Sequence, residues 1–424
     1  MDVLVVGSGG REHAIAWKLR QELYGRDKLY VAPGNAGTAS IAENVPIQAD
    51  DVKALAAFAR EKKVNITFVG PEKPLTLGID EAFKQEGRRI VGPSGKAAKL
   101  EGSKVFSHEF MERHGIPHPP SRVADNPRGA WELGLQLLKS YGVGVIKADG
   151  LAQGKGVSIY RTEKDLKNAV SALMVDKRFG RAGDRVLLQQ YMEGREASFI
   201  GFTKNGIFVP FPPAQDYKQL NGKMTGGMGA YAPRFLDRET RQRVMSEIIF
   251  PTLEGMESEG RPFSGVLYAG LMIKDGQPMV VEYNCRKGDP EEQVQGPLLG
   301  SGLLELGYAC AEGGLDRVKP LWLPKYAVNV VLATAGYPDD EYKNHLGKEI
   351  FGLDRDDVIV FHAGTSRSPD GRVVSSGGRV VSVTALGDNL PQAAKKAYGA
   401  IGEENDGIYF DDMLYSRGIG PNAN

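Results

Sequence analysis

Glu282, Asn284 and Arg286 occupy alternate positions in the run VEYNCRKGDPE (281–291), which continues a strand-like pattern. In an extended chain that spacing sets all three side chains on one face. Two oxygen ligands beside a guanidinium suit a magnesium nucleotide, because the oxygens take a hard cation and the arginine takes a carboxylate or phosphate. A surface strand with a charged face would look the same, so a second feature is needed. VIKADGLAQGKGV (145–157) supplies one. There Lys147 ends an alternating strand, Gly150, Gly154 and Gly156 let backbone amides approach a ligand, and Lys155 adds a cation. This is not a Walker A loop, since Gly156 stands where a hydroxyl residue is required after Gly154 and Lys155. Read alone, the lysines and glycines could be a solvated hairpin tip.

The opening VVGSGGREHA (5–14) puts further glycines in a turn between a strand and a helix, where free N–H groups and the helix dipole can hold a phosphate. A dinucleotide-binding G-x-G-x-x-G would need a third glycine where Glu12 stands, and a bulky acid there opposes a pyrophosphate. A tight turn without ligand is the bland alternative. PGNAGT (33–38) and VGPEKPL (69–75) also follow predicted strands. Three such loops would line one carboxyl edge of a parallel sheet, where open α/β sheets bind ligands.

The elements that must position these residues follow from periodicity. Over the first hundred residues strands at 3–6, 29–31 and 66–69 alternate with helices after Arg11, at 52–61 and at 79–86, the rhythm of an open parallel α/β sheet. A helix at 105–114 must end at GIPHPP (115–120), because consecutive prolines cannot continue it. Strand, helix (127–139), strand (143–147), glycine loop, strand, helix (163–174) and strand (186–191) then make a small α+β module. Paired strands at 197–202 and 207–211, a long helix at 238–258, and strands at 266–273 and 278–283 make a second module on an antiparallel sheet. Pro320 and Pro324 mark a linker to strands at 328–332, 358–361 and 380–385 and a helix at 390–401. The expected units are a Rossmann-like domain (1–102), a central domain (103–320) whose part 121–192 is a mobile lid, and a small β-rich C-terminal domain (325–424). The fold class is therefore α/β and α+β, multidomain.

Composition narrows the partners. Lys+Arg and Asp+Glu are equal at 53 each, so no global field favours nucleic acid or an anionic membrane. No long apolar run suggests a membrane span or secretory signal, and two distant cysteines suit a reducing compartment without a disulfide framework. A cytoplasmic enzyme acting on small molecules is expected. Glycine supplies 54 of 424 residues, which asks for many tight turns or close backbone approaches to ligands.

A lysine strand with a glycine loop, then an E-G-x-E segment (193–196), then Glu-x-Asn-x-Arg resembles the ATP-grasp superfamily. VVGSGGREHA, APGNAGT, VGPE-x-PL, LEGSK, IKADGLAxGKGV, TGGMGAY, the Asn-Cys-Arg-x-Gly-Asp-Pro-Glu run, FHAGT and GGRVVSVTA extend the likeness to nearly the whole chain. In that order they resemble the phosphoribosylamine–glycine ligase (glycinamide ribonucleotide synthetase) family. The resemblance implies an ATP-grasp fold and ATP-dependent ligation of glycine to 5-phosphoribosylamine in purine synthesis. It also implies Mg²⁺ or Mn²⁺, and a monomer. By position, Lys104 and Lys147 would contact ATP phosphates under the loop of Gly150, Gly154, Lys155 and Gly156. Gln189, Gln190 and Met192 would form the adenine hinge, and Glu196 would hold the ribose. Glu282 and Asn284 would bind the metal. Asp216, Lys218, Thr225, Gly226, Gly227 and Arg286 would surround glycine and the transferring phosphoryl group, with Arg286, Lys147, Asp216 and Lys218 as the catalytic set. Gly9, Gly10, Asn35 and Glu72 would hold phosphoribosylamine.

Three features depart from the family pattern. The connection before TGGMG is short, with Lys223 and Met224. Gln189 and Gln190 replace glutamates, with Arg195 replacing an acid beside Glu196, and Lys287 stands where an aromatic residue is common. None removes a magnesium ligand or a phosphate-binding lysine. The implied reaction runs through glycyl phosphate, by positioning and electrostatics rather than a nucleophilic side chain. The alternatives are another ATP-grasp carboxylate–amine ligase or carboxylase, and a non-catalytic nucleotide-binding regulator.

Overall fold

In the computed structural model, residues 1–151, 156–402 and 406–420 are described. The N-terminal strands form a five-stranded parallel sheet in the order Glu43–Asn44, Lys28–Pro33, Asp2–Gly7, Ile66–Val69, Arg89–Val91. Val3, Leu4, Val5 and Val6 are all buried, as expected of a strand covered on both faces. The helix Val52–Glu61 begins where the Asp51 side chain accepts from Ala54 N at 3.1 Å. The first helix, Gly10–Glu22, starts at the glycine turn and packs against Glu292–Leu298 from the far half of the chain.

Two antiparallel sheets follow. The first orders Ser121–Ala124, Val186–Gln190, Gly144–Ala148 and Val157–Tyr160, with the helix Pro127–Tyr141 on its face. Asn126 caps that helix, Pro127 opens it, and Gly142 at φ +73° closes it. The second orders Ile207–Pro210, Arg195–Lys204, Gly265–Lys274 and Gln277–Asn284. Its inner residues Phe199, Leu267 and Tyr283 share one apolar core with Leu4, Ile79 and Phe110 of the N-terminal half, so these two parts bury their surfaces together. The first antiparallel sheet has a core of its own around Ile146, Tyr160, Leu166 and Leu188.

The last sheet orders Gln215–Asp216, Gly229–Ala232, Tyr326–Ala333, Arg379–Gly387 and Ile359–His362. Its first two strands come from the middle of the chain, so the segment bearing Asp216 is fastened to the C-terminal region. The stretch read as a linker contains a strand, Leu321–Trp322, paired with Leu299–Ser301. The long helix is continuous but changes pitch, with a wider π-type segment, Val244–Ile249, between Arg238–Arg243 and Phe250–Ser258. Among the described residues no helix is long and apolar enough to cross a membrane.

Candidate functional site

The two antiparallel sheets face each other across a cleft walled by Leu100, Lys104, Lys147, Gln189, Val281 and Glu282. Ser103 caps the helix Lys104–Arg113, its Oγ accepting from Phe106 N at 3.0 Å, which holds Lys104 at the helix start. Ser103 Oγ also donates to Asp149 Oδ1 at 2.6 Å, tying the root of the glycine loop to that helix. Lys147 is buried near the end of Gly144–Ala148. Its Nζ donates to Val281 O at 2.8 Å. That carbonyl belongs to a β-bulge: Gly270 pairs with Glu282 and Leu271 with Val280, leaving Val281 as the extra residue.

Around Glu282 the charges converge. Lys218 Nζ lies 3.2 Å from Glu282 Oε1 and 3.5 Å from Asp216, while Lys104 Nζ lies 4.0 Å from Glu282 Oε2. Lys218, helped by Lys104 and Lys147, holds the Glu282 carboxyl far below the usual carboxylate range against the opposing effect of burial. Burial pushes the Lys147 ammonium down to about 8, with Glu282 opposing and Lys104 and Lys218 adding to the shift. Burial likewise pushes the Asp216 carboxyl up, and Lys218 only partly offsets it. Glu196, partly buried near the start of Arg195–Lys204, is close enough to raise Asp216 further.

Alternation beyond the bulge brings Glu282 and Asn284 to one face, as the spacing predicts. Arg286 lies past the strand end at Asn284, yet its Nη2 donates to Asn284 Oδ1 at 2.9 Å. The same guanidinium meets Glu101 at 2.9 Å and Glu72 at 3.8 Å, so it joins the cleft to the N-terminal loops. Burial raises the Glu72 carboxyl, but Arg286 and Arg11 more than offset this and keep it below its ordinary value. A carboxylate and an amide oxygen beside a cationic rim form a donor set that fits Mg²⁺.

Gln189 is buried and its Nε2 donates to Ser121 Oγ at 3.1 Å. Gln190 is partly exposed at the end of its strand, and its backbone N–H donates to Pro120 O. Met192 follows, partly buried. Gly150 has φ +147°, and an added Cβ would meet Ala182 at 2.9 Å. Gly156 O accepts from Ala148 N at 2.9 Å, closing the loop. Gly154 and Lys155 lie outside the described residues.

TGGMG is firmly held. Thr225 N and Oγ1 both donate to Lys218 O, Gly226 N donates to Tyr337 OH at 3.1 Å, and an added Cβ on Gly227 would meet Pro290 at 2.5 Å. Arg379 pairs with Asp289 at 2.9 Å and donates to Gly226 O at 2.9 Å. The short connection before this loop is a tight hairpin, with Leu220 opposite Lys223 and both Asn221 and Gly222 at positive φ. That is the type I′ geometry in which Asn-Gly excels.

The N-terminal loops are filled from within. Glu12 Oε2 accepts from Gly9 N at 2.5 Å, and added Cβ atoms on Gly7 or Gly70 would strike the same side chain at 2.4 and 1.9 Å. Glu12 therefore takes the space a pyrophosphate would need. A Cβ on Gly10 would meet Gln293 at 2.7 Å. Asn35 donates to Ser8 O and His362 O and accepts from Gly37 N and Thr38 N, so its amide already serves the fold. Glu72, near the Arg286 guanidinium, is the more available of these polar groups.

Sequence reasoning did not single out Glu101, Asp289, Arg379 or the buried group of Ser198, Tyr268 and Glu291, in which Glu291 Oε1 accepts at 2.9 and 2.5 Å. Glu101, Asp289, Glu291 and Arg379 lie inside quoted motifs; their pairings across the chain leave no local signal.

Comparison with known proteins finds three matching family models. They are the phosphoribosylglycinamide synthetase N domain over residues 1–101, its ATP-grasp (A) domain over 102–292 and its C domain over 327–422. The chain is 42% identical to a phosphoribosylamine–glycine ligase of Vibrio parahaemolyticus, over 100% of this chain and 98% of that one. It is 43% identical to one of Escherichia coli, over 99% and 98%. A crystal structure of a Thermotoga maritima phosphoribosylamine–glycine ligase aligns with TM-score 0.83 and 33% identity, covering 99% of this chain and 100% of that one. A Campylobacter jejuni biotin carboxylase aligns with TM-score 0.73 at 14% identity, over 98% and 93%, a likeness of fold alone.

Proposed function

Because the chain belongs to the phosphoribosylglycinamide synthetase family, whose members are ATP-dependent phosphoribosylamine–glycine ligases, we propose that it joins glycine to 5-phosphoribosylamine in purine synthesis. The products are glycinamide ribonucleotide, ADP and phosphate. The convergence of Lys104, Lys147 and Lys218 on Glu282 carries the site assignment. A cluster of cations around one ionised carboxylate, with the glycines of 150–156 following Lys147 in sequence, suits a polyphosphate and its metal.

Glu282 and Asn284 would hold Mg²⁺, or Mn²⁺, which when bound neutralises phosphate charge. Lys104 and Lys147 bind the ATP phosphates, and Gln189 faces the base, with Gln190, Met192 and Glu196 completing the nucleoside contacts. Gly150 and Gly156 anchor the loop that covers the phosphates. Glycine lies between Asp216, Lys218, Arg286 and the loop of Thr225, Gly226 and Gly227. Its carboxylate attacks the γ-phosphorus in line, forming a C–O–P bond as the bond to ADP breaks. The amine of phosphoribosylamine, held beside Gly9, Gly10, Asn35 and Glu72, attacks the acyl carbon; phosphate leaves and the nitrogen loses a proton. The enzyme acts as a monomer in the cytoplasm, on domains bounded near residue 102 and between 320 and 325, with 121–192 as the lid.

Glycine-dependent ADP release, measured with and without phosphoribosylamine, tests the reading. Full turnover should need both, and ¹⁸O placed in the glycine carboxylate should appear in the released phosphate. Turnover indifferent to phosphoribosylamine favours a different acceptor, and unlabelled phosphate in a productive reaction excludes the acyl phosphate.

A further inference from the structure

The helix Lys104–Arg113 has two working faces. Ser107 and Met111 line the nucleotide cleft. His108 and Glu112, each one residue further on, lie about 100° around the axis, away from that wall. The chain leaving this helix passes back over them before entering the strand Ser121–Ala124, and it carries His118. The His118 ring stands edge-on to His108 with centroids 5.1 Å apart. One ligand atom from each of His108, Glu112 and His118 lies within 4.8 Å of the others, the one such group among the described residues.

The local bonding prepares these atoms. His118 Nδ1 lies 2.8 Å from Ile116 O, a contact that makes Nδ1 the donor and leaves Nε2 with a free lone pair. An imidazole oriented through its other nitrogen by a backbone carbonyl is the usual support of a metal ligand. His108 Nε2 is 3.6 Å from Glu112 Oε1. His108 is only 3% exposed, and its Nδ1 has no hydrogen-bond partner.

We infer that His108, Glu112 and His118 form a zinc-binding site, separate from the nucleotide cleft. Two imidazoles and one carboxylate suit Zn²⁺ rather than Mg²⁺ or Ca²⁺, which prefer all-oxygen shells. Tetrahedral bonds of about 2.0–2.1 Å place ligand atoms roughly 3.4 Å apart. The His108 and Glu112 pair is already near that spacing, and Glu112, with its side chain 52% exposed, has room to swing inward. Three protein ligands leave the fourth position to water. The ion fastens the back of the cleft wall to the segment that leads into the lid sheet, so occupancy stiffens the lid's root.

The test uses the untagged full-length chain, stripped with a chelator and dialysed against micromolar Zn²⁺ in millimolar Mg²⁺ without nucleotide. The excess Mg²⁺ keeps zinc from the oxygen ligands at Glu282. One zinc per chain should be retained by elemental analysis, with a rise in Tm. Glu112→Gln and His118→Gln should each weaken retention about tenfold or more, and Glu112→Gln should keep wild-type turnover with Mg-ATP. No zinc on the wild-type chain, or equal zinc and an equal Tm rise in the Glu112→Gln/His118→Gln double variant, overturns the assignment.

Discussion

Replacing Lys147 with methionine should separate catalysis from stability. The ammonium is buried, and its folded pKa is pushed from 10.5 down to about 8, so holding it charged costs the fold roughly 3 kcal/mol. Methionine removes that penalty. It also removes the bond to Val281 O, about 1 kcal/mol, and one of the cations near Glu282. The net at pH 7 should be a gain of about 1–2 kcal/mol in denaturant unfolding. The sign with pH follows from the direction of the shift. A lysine whose folded pKa lies below its unfolded value carries its full penalty below pH 8 and sheds it as pH rises towards 10.5. The variant's advantage should therefore shrink between pH 7 and pH 9.5. Turnover should move the opposite way, with kcat/KM for ATP falling roughly a hundredfold or more as phosphate stabilisation is lost. In the wild type, kcat/KM for ATP should decline as pH rises through about 8, where the free enzyme loses this proton. A variant with near-normal kcat/KM, or one destabilised equally at both pH values, would refute the assignment of Lys147 as a strained phosphate-binding cation.

Glu282→Ala should lower kcat/KM by roughly a hundredfold and raise the Mg²⁺ concentration needed for half-maximal rate. An unchanged magnesium titration would place the metal elsewhere. Because Gln189 lies in the cleft wall and Gln190 at the strand end, Gln189→Glu should raise the ratio of kcat/KM for ATP over GTP about fivefold to tenfold, the worth of one hydrogen bond; a ratio that stays level or falls removes Gln189 from the base contact. Burial pushes His13 down to about 3 and His362 down to about 4, so both stay neutral in the fold while the unfolded chain takes up protons below pH 6.5. Stability should fall by roughly 2 kcal/mol per histidine between pH 6.5 and pH 5, and His13→Asn, which keeps an acceptor for His362 N, should flatten that slope in unfolding measured across the range.

Much of this was legible because periodicity survives in the elements around the site. The strands Gly265–Lys274 and Gln277–Asn284 and the helices Val52–Glu61 and Pro127–Tyr141 fall within a few residues of their expected bounds. Glu12 was readable by exclusion, and it fills the turn that a third glycine would have left open. What escaped depends on partners distant in sequence. Gly229–Ala232 joins the C-terminal sheet through Val328 and Val330, a pairing across about a hundred residues that local pattern does not encode. Asn35 has the right type and position for a ligand contact, and its amide also ties together Ser8, His362 and its own turn, a role that local pattern does not encode. The Asn221 and Gly222 hairpin was marked locally, since Asn-Gly is a strong turn signal, yet only its shortness drew notice.

The bulge at Val281 joins these two levels. Without an extra residue, strict alternation would put Val281 in the ladder with its carbonyl committed to the neighbouring strand. With it, that oxygen meets the Lys147 ammonium, and Glu282 and Asn284 resume the alternation facing the cleft. One inserted residue thus positions both the cation of one sheet and the side-chain oxygens of the other. The arrangement is electrostatically uncomfortable in isolation: burial opposes the charge on Lys147, and Lys104 and Lys218 repel it across a single ionised Glu282. Burial of such a cluster is destabilising until anions arrive, and a bound polyphosphate supplies more negative charge than Glu282 alone. The local strain and the ligand's charge are complementary, which is why the same lysine that weakens the empty fold should strengthen nucleotide binding.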